Sequence, residues 1–357
     1  MNRSTLSTLL LTTAALLLVG PTAMAQTQGW DEGRGGTASM TELIPRMSSG
    51  QAYTERYTFS VDLDGGGHIG VNFTISNLGV RSGYGAAEVR VRLPGEDRYE
   101  YSERVSRRRW DSASDRFALD IADTQVEAVG TTGFRIRHQG DVEVDLRFEN
   151  TIPMWRPGNG EVRSGDDYYR FTLTSPRANV TGRVKINGEW RDVRGTRAGY
   201  GDHVATNVAP YDLATRFTRF RDYNDDVFVM WREIELTDDF GGDTVAFALV
   251  GVGNRIVFED TSPTVEFQRV SHDQETGYRV PHAIAVRGQG FEFSLNGSNV
   301  RKRDILESYG RVARMVASRL SNPFQYNVEG AYTMRLTGGA SATANGDGHY
   351  TIDFVNH

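Results

Sequence analysis

The chain has no cysteine and only two lysines, Lys185 and Lys302. Without cysteine there is no disulfide, no thiolate nucleophile and no cysteine-type metal site. Stability must come from core burial, which a chain of 357 residues can supply. Every other base is an arginine, the net charge is −6, and no large basic domain stands out. That balance leaves no case for a nucleic-acid partner.

Familiar catalytic and metal signatures are missing too. There is no His-Glu-x-x-His pair and no Gly-x-Ser-x-Gly elbow. Asp222, Asp225, Asp226, Asp238, Asp239 and Asp243 fit no EF-hand spacing, and turn carboxylates are the better reading. His272 and His282 are too far apart for a paired zinc motif, with Pro281 between them. The expectation is no metal and no cofactor.

The apolar run Leu9–Val19 is too short for a membrane span. Asn2-Arg3 precedes it, Gly20-Pro21 breaks it, and Ala23-Met24-Ala25 offers a small-x-small cleavage site. The pattern predicts a secretory signal over 1–25 and a periplasmic or secreted protein. Gln26 to Gly50 is rich in Gly, Ser and Thr and reads as a flexible arm.

What is present is alternation. Tyr57 to Leu63 and Ile69 to Ile75 alternate apolar and polar residues around Gly65-Gly66-Gly67, as a hairpin with one buried face does. Short strands continue through Ala87–Leu93, Phe117–Ile121, Gly133–His138 and Val142–Phe148. Thr151 to Gly160, with two prolines and two glycines, reads as a loop near a domain junction. Strands resume at Tyr168, with Asn187-Gly188 as a hairpin turn, and run to His349–Val355. The series predicts an all-β sandwich or barrel architecture. Asp304 to Leu320 alone has helical spacing, and Asn322-Pro323 ends it.

Several blocks resemble one superfamily. Tyr168–Trp190 and Val193–Pro210 resemble the central motif of the tandem-lipocalin (calycin) superfamily. That group comprises Svf1-like proteins, carotenoid 1,2-hydratase and AttH-like proteins, and lipocalin-like Diels–Alderases. The hairpin after Tyr53, the run Asp273, Thr276, Gly277, Tyr278, Val280, Pro281, and Asn322–Tyr326 resemble the Svf1-like branch. The resemblance implies two antiparallel lipocalin-like β-barrels side by side, over 51–175 and 176–357, with a helix at about 304–320. Hydratase members carry Asp-His-x-Trp-Gly; here Asp202-His203 is followed by Val204-Ala205-Thr206-Asn207.

Asp202 and His203 are the candidate catalytic pair. In an apolar cavity burial would raise the Asp202 pKa, making it a general acid, with His203 orienting it or acting as base. Asp202 could equally cap a turn after Gly199-Tyr200-Gly201. On a strand the two would point to opposite faces. Tyr200, Asn207, Arg216 and Trp231 are candidate ligand-binding residues. An inward arginine among Arg216, Arg219 and Arg221 could hold an anionic group, or all three could be paired with nearby aspartates. The predicted helix, with Arg311, Arg314 and Arg319 on its polar side, could pack on a barrel or touch an anionic membrane surface transiently. The leading expectation is an exported protein that binds or carries a hydrophobic small molecule, such as an isoprenoid, polyketide or lipid. One alternative is a cofactor-independent hydratase, isomerase or cyclase using Asp202 as acid. Another is a non-enzymatic stress or survival protein whose barrels are filled by side chains. The sequence carries no signal for oligomeric state.

Overall fold

The computed structural model describes residues 27–30, 34–78, 82–224, 226–308, 321–337 and 341–356. The expected leader and residues 309–320 of the expected helix lie outside the described residues. Within the described part of that helix, Asp304 ends a strand and Ile305–Ser308 forms one 3-10 turn.

Among the described residues two antiparallel sheets account for all the strands. The first has fourteen strands. Its main path runs from Tyr99–Val105 through Tyr84–Arg92, His68–Ser76, Thr54–Asp62, Glu189–Thr206, Asp167–Ile186, Glu143–Asn150 and on to Trp110–Ser112. It curls until side chains bridge its edges. Trp110 Nε1 donates to Gly83 O at 3.0 Å, and a Cβ at Gly85 would lie 2.8 Å from the Trp110 ring, so only glycine admits this approach. Tyr99 and His138 meet similarly, at 3.1 Å.

The second sheet has nine strands, from Arg255–Asp260 through Val227–Leu236, Ala214–Asn224, Ala342–Phe354 and Phe291–Asp304 to Thr264–His272. It curls in the same way, and Phe258 stacks on Phe291 at 5.0 Å. The single helical turn Pro210–Leu213 joins the sheets.

The sequence division at 175/176 does not coincide with the sheet division. Strand pairing carries the first sheet to Thr206, because Asp167–Ile186 and Glu189–Thr206 form one long hairpin within it. Asn187 and Gly188, with φ of 53° and 84°, make its expected turn. The expected flexible arm is docked where it is described. Gly36–Thr37 pairs with Trp155–Arg156, Ser39 and Glu42 form a capping box, and Leu43 is fully buried.

Alternation on each strand distributes side chains among three apolar cores. Tyr57, Phe59, Phe73, Phe117, Phe134 and Phe148 fill the first barrel. Phe220, Trp231, Phe293, Tyr332 and Tyr350 fill the second. Trp155, Phe171 and Leu173 from one sheet meet Phe228, Met230, Ile234 and Phe247 from the other. Thr151–Gly160, read as a junction loop, lies at this third core: Trp155 packs on Phe247 at 5.2 Å and donates to Glu259 at 2.7 Å.

Candidate functional site

Asp202 and His203 are consecutive on Glu189–Thr206, so one faces each side of the first sheet. The neighbouring strand fixes which. His203 is registered with Tyr57, and Asp202 with Thr58. Tyr57 belongs to the core of the first barrel, so His203 points inward.

His203 stacks on Tyr57 with ring centroids 4.3 Å apart and planes at 6°. Its Nε2 comes within 3.4 Å of Glu55 Oε2, a charge contact whose geometry falls short of a hydrogen bond. Glu55 is itself 2% exposed. It accepts from the Tyr53 hydroxyl, from Tyr57 Oη at 2.5 Å and from the Arg46 N–H at 2.8 Å. Burial would raise the Glu55 carboxyl, but His203 and the two tyrosines overcome it and hold it below the usual range. Burial, reinforced by the Glu55 charge, drives the hydroxyls of Tyr53 and Tyr57 far up, so both stay proton donors. The Tyr57 hydroxyl oxygen also lies 2.8 Å from Leu43 O, and Ser39–Met47 crosses the cluster as a cover.

Asp202 faces the other way, into the contact between barrels. It accepts from Tyr200 Oη at 2.5 Å and from Arg232 Nη2 at 3.4 Å. Arg232 also donates to Tyr169 Oη at 3.2 Å and lies 4.1 Å over the Phe171 ring. Arg221 covers the Tyr200 ring at 3.8 Å and reaches Ser60 at 3.2 Å. Asp202 is thus in a strand rather than a turn, and its carboxylate meets polar partners. It is the acceptor of a buried ion pair that joins the two sheets, and His203, on the opposite face, cannot orient it.

The remaining candidates separate. Tyr200 belongs to the Asp202 cluster. Asn207 clamps the preceding turn, accepting from Tyr168 N at 2.7 Å and donating to Asp166 O at 3.0 Å, so its amide is occupied. Arg216 and Trp231 lie on adjacent strands of the second sheet, Arg216 paired in register with Glu235 and Trp231 with Phe220. Of the other two arginines, Arg219 is paired with Asp353, and Arg221 has no carboxylate within 4 Å among the described residues. Glu55, Tyr53, Arg232 and Glu233 were missed. Alternation carried a signal for Glu55: Tyr53, Glu55, Tyr57, Phe59 and Val61 occupy one face, and the sequence reading began that strand at Tyr57.

The Asp273–Pro281 block has a structural role. Asp273 accepts from Tyr326 Oη at 2.8 Å, Lys302 Nζ lies 3.1 Å away, and Tyr278 stacks on Phe354 at 4.4 Å. Burial would raise the Asp273 carboxyl, yet these donors and the backbone N–H groups of Glu275 and Thr276 bring it down to about 2. A groove of about 700 Å³ lies on the solvent face of the first sheet, but its lining mixes paired charges such as Arg135 and Asp145. Among the described residues no cluster of metal-ligating side chains is found.

Solved structures with similar folds are tandem lipocalin-like proteins. An AttH-type protein from Nitrosomonas europaea aligns with TM-score 0.55 at 16% identity, over 87% of this chain and 98% of its own. Kievitone hydratase from Nectria haematococca aligns with TM-score 0.54 at 13% identity, over 92% and 98%. CghA, a Diels–Alderase, aligns with TM-score 0.58 at 10% identity, over 91% and 94%. At these identities the likeness is one of fold. No curated protein sequence matches. The Svf1 family model matches residues 104–334, well over half of the chain, and its span takes in the Asp202-His203 pair and the Asp273–Pro281 block. The chain is a member of the Svf1 family.

Proposed function

We propose that this protein is a cofactor-independent acid–base catalyst of the hydratase, isomerase or cyclase class, acting on a hydrophobic isoprenoid or polyketide. The observation that carries this reading is the His203–Glu55 dyad: an imidazole stacked in an aromatic core, with a buried carboxylate 3.4 Å from Nε2. In such a dyad the carboxylate steadies the imidazolium that forms when the other ring nitrogen takes a proton from substrate or water. His203 is therefore the base, one of the two roles the sequence allows it, and it acts without Asp202 as the acid. The folds of kievitone hydratase and CghA support this class over a simple carrier. The aromatic filling of the first barrel also weighs against a wide carrier cavity there. Substrate entry requires Ser39–Met47 to lift from Tyr57 and Glu55.

The test uses a panel of isoprenoid and phenolic alkenes in ¹⁸O-labelled water and in D₂O, with products read by mass spectrometry. His203→Gln is expected to lower turnover by about 10²–10⁴-fold, while Asp202→Asn changes it only severalfold in a protein that still folds. The reverse pattern would restore Asp202 as the acid. No turnover, together with an apolar molecule bound to protein purified from its host, would return the carrier reading. From the leader pattern we also propose that this chemistry takes place outside the cytoplasm. Exported protein beginning at Gln26 is the expected result, and retention of Leu9–Val19 would refute it.

A further inference from the structure

The second barrel contains a polar site of its own. The inward face of Val227–Leu236 runs Val229, Trp231, Glu233. Trp231 is caged by Phe220, nearly parallel at 6.1 Å, by Phe293 edge-on at 5.6 Å and by Tyr350 at 6.4 Å. Glu233 Oε1 accepts from Arg216 Nη2 at 3.0 Å. Arg216 is shared with Glu235, also at 3.0 Å, and lies 4.2 Å over the Phe267 ring. Thr218 stands opposite Glu233 in register, without a hydrogen bond of normal geometry.

Besides Thr218 Oγ1, three polar atoms here are buried with no partner: Trp231 Nε1, Glu233 Oε2 and Arg216 Nε. Trp231 and Glu233 are each 1% exposed. A buried polar group left unmatched costs about 1–3 kcal/mol. Three in one barrel mark a place built for an oxygen-bearing guest. Among the neighbouring hydroxyls Thr218 acts on Glu233, and the two tyrosines are engaged elsewhere. Tyr350 donates to Pro281 O at 2.8 Å, and Tyr332 donates to Asp222.

We propose that the second barrel binds a small, mostly apolar molecule with one hydroxyl or carbonyl oxygen, which accepts from the Trp231 indole N–H and is held by Glu233. Phe220 and Phe293 supply apolar contacts on the Trp231 side and Phe267 on the Arg216 side. Burial pushes the Glu233 carboxyl up, against the pull of Arg216, which favours a proton there for donation to a carbonyl oxygen. This site is separate from His203 and Glu55, and goes beyond the reaction proposed for them.

The test titrates the full chain with geraniol and geranial, and with myrcene, a hydrocarbon of the same carbon number without oxygen. Binding is read by Trp fluorescence and native mass spectrometry. The oxygenated probes are expected to bind one per chain, at least tenfold more tightly than myrcene. Trp231→Phe keeps the aromatic packing and removes the N–H. It should weaken geraniol about fivefold to tenfold and leave myrcene unchanged. Glu233→Met, which keeps the bulk without a donor and is checked for an unaltered melt, should weaken geranial similarly and covers the case of a misfolded Trp231→Phe. His203→Gln should leave this binding intact even if it abolishes turnover, which separates failure here from failure of the first proposal. Absence of binding, equal affinity for myrcene, unchanged affinity in both variants, or an experimental structure showing only waters on the three atoms would overturn the proposal.

Discussion

Glu55 and Glu233 are both carboxylates on inward strand faces, 2% and 1% exposed, and their protonation moves in opposite directions. Glu55 sits in the first barrel among two tyrosine hydroxyls, a backbone N–H and His203. Glu233 in the second barrel has Arg216, which also serves Glu235. Burial is the same for both and raises both. The number of donors aimed at each carboxylate decides the outcome. Depth alone is therefore a poor guide to charge, and two sheets of one architecture hold one acid ionised and bias the other toward its neutral form.

The contrast can be broken most severely at Glu55. Glu55→Ala leaves His203 and two tyrosine hydroxyls without their acceptor, and should cost about 3–5 kcal/mol in urea unfolding. A loss under 1 kcal/mol would show that the donors do not act on this carboxylate. Single hydroxyl deletions come next. Tyr53→Phe and Tyr57→Phe should each cost about 1.5–3 kcal/mol, the usual worth of a hydrogen bond to a charged group. Equal losses from Thr218→Val in the second barrel would erase the distinction. Glu233→Gln should be milder, within about 1 kcal/mol at pH 7, because Arg216 keeps Glu235 and a costly charge is removed.

The smallest effect, and the sharpest in sign, is pH dependence. The depressed Glu55 carboxyl stabilises the fold above the ordinary glutamate value, and that contribution is lost as pH falls through its lower folded value. The raised Glu233 carboxyl behaves oppositely. Between the ordinary value and its higher folded value the native state binds more protons than the unfolded one, so stability falls as pH rises. Urea midpoints from pH 3 to 8 should therefore lose part of their acid limb in Glu55→Gln. In Glu233→Gln they should lose part of the decline above the ordinary value. The same limb flattened by both variants would mean that the two groups titrate alike.

The strand pattern was legible because a sheet with one buried face imposes a period of two on side chains. It carried the all-β architecture, the Asn187-Gly188 turn and the opposed directions of Asp202 and His203. It did not carry the domain boundary. The sequence reading broke the chain at 175, inside a strand that continues unbroken to Ile186 and pairs back to Thr206. Proline and glycine in Thr151–Gly160 mark the place where the barrels touch, and contact between barrels is not a change of sheet. Arg216 and Trp231 were legible as residue types suited to a ligand, but nothing local says that Glu233 joins them.

The order of the amino acids alone determined that this chain makes curled antiparallel sheets without disulfides or cysteine chemistry, since alternation and composition are local properties. Tertiary structure decided which face of each strand meets a barrel interior and which meets the other barrel. Asp202 and His203 are one peptide bond apart, yet one became an ion pair between sheets and the other half of a buried dyad. That assignment depends on the register of Thr54–Asp62 against Glu189–Thr206, a pairing across more than a hundred residues that no local pattern encodes.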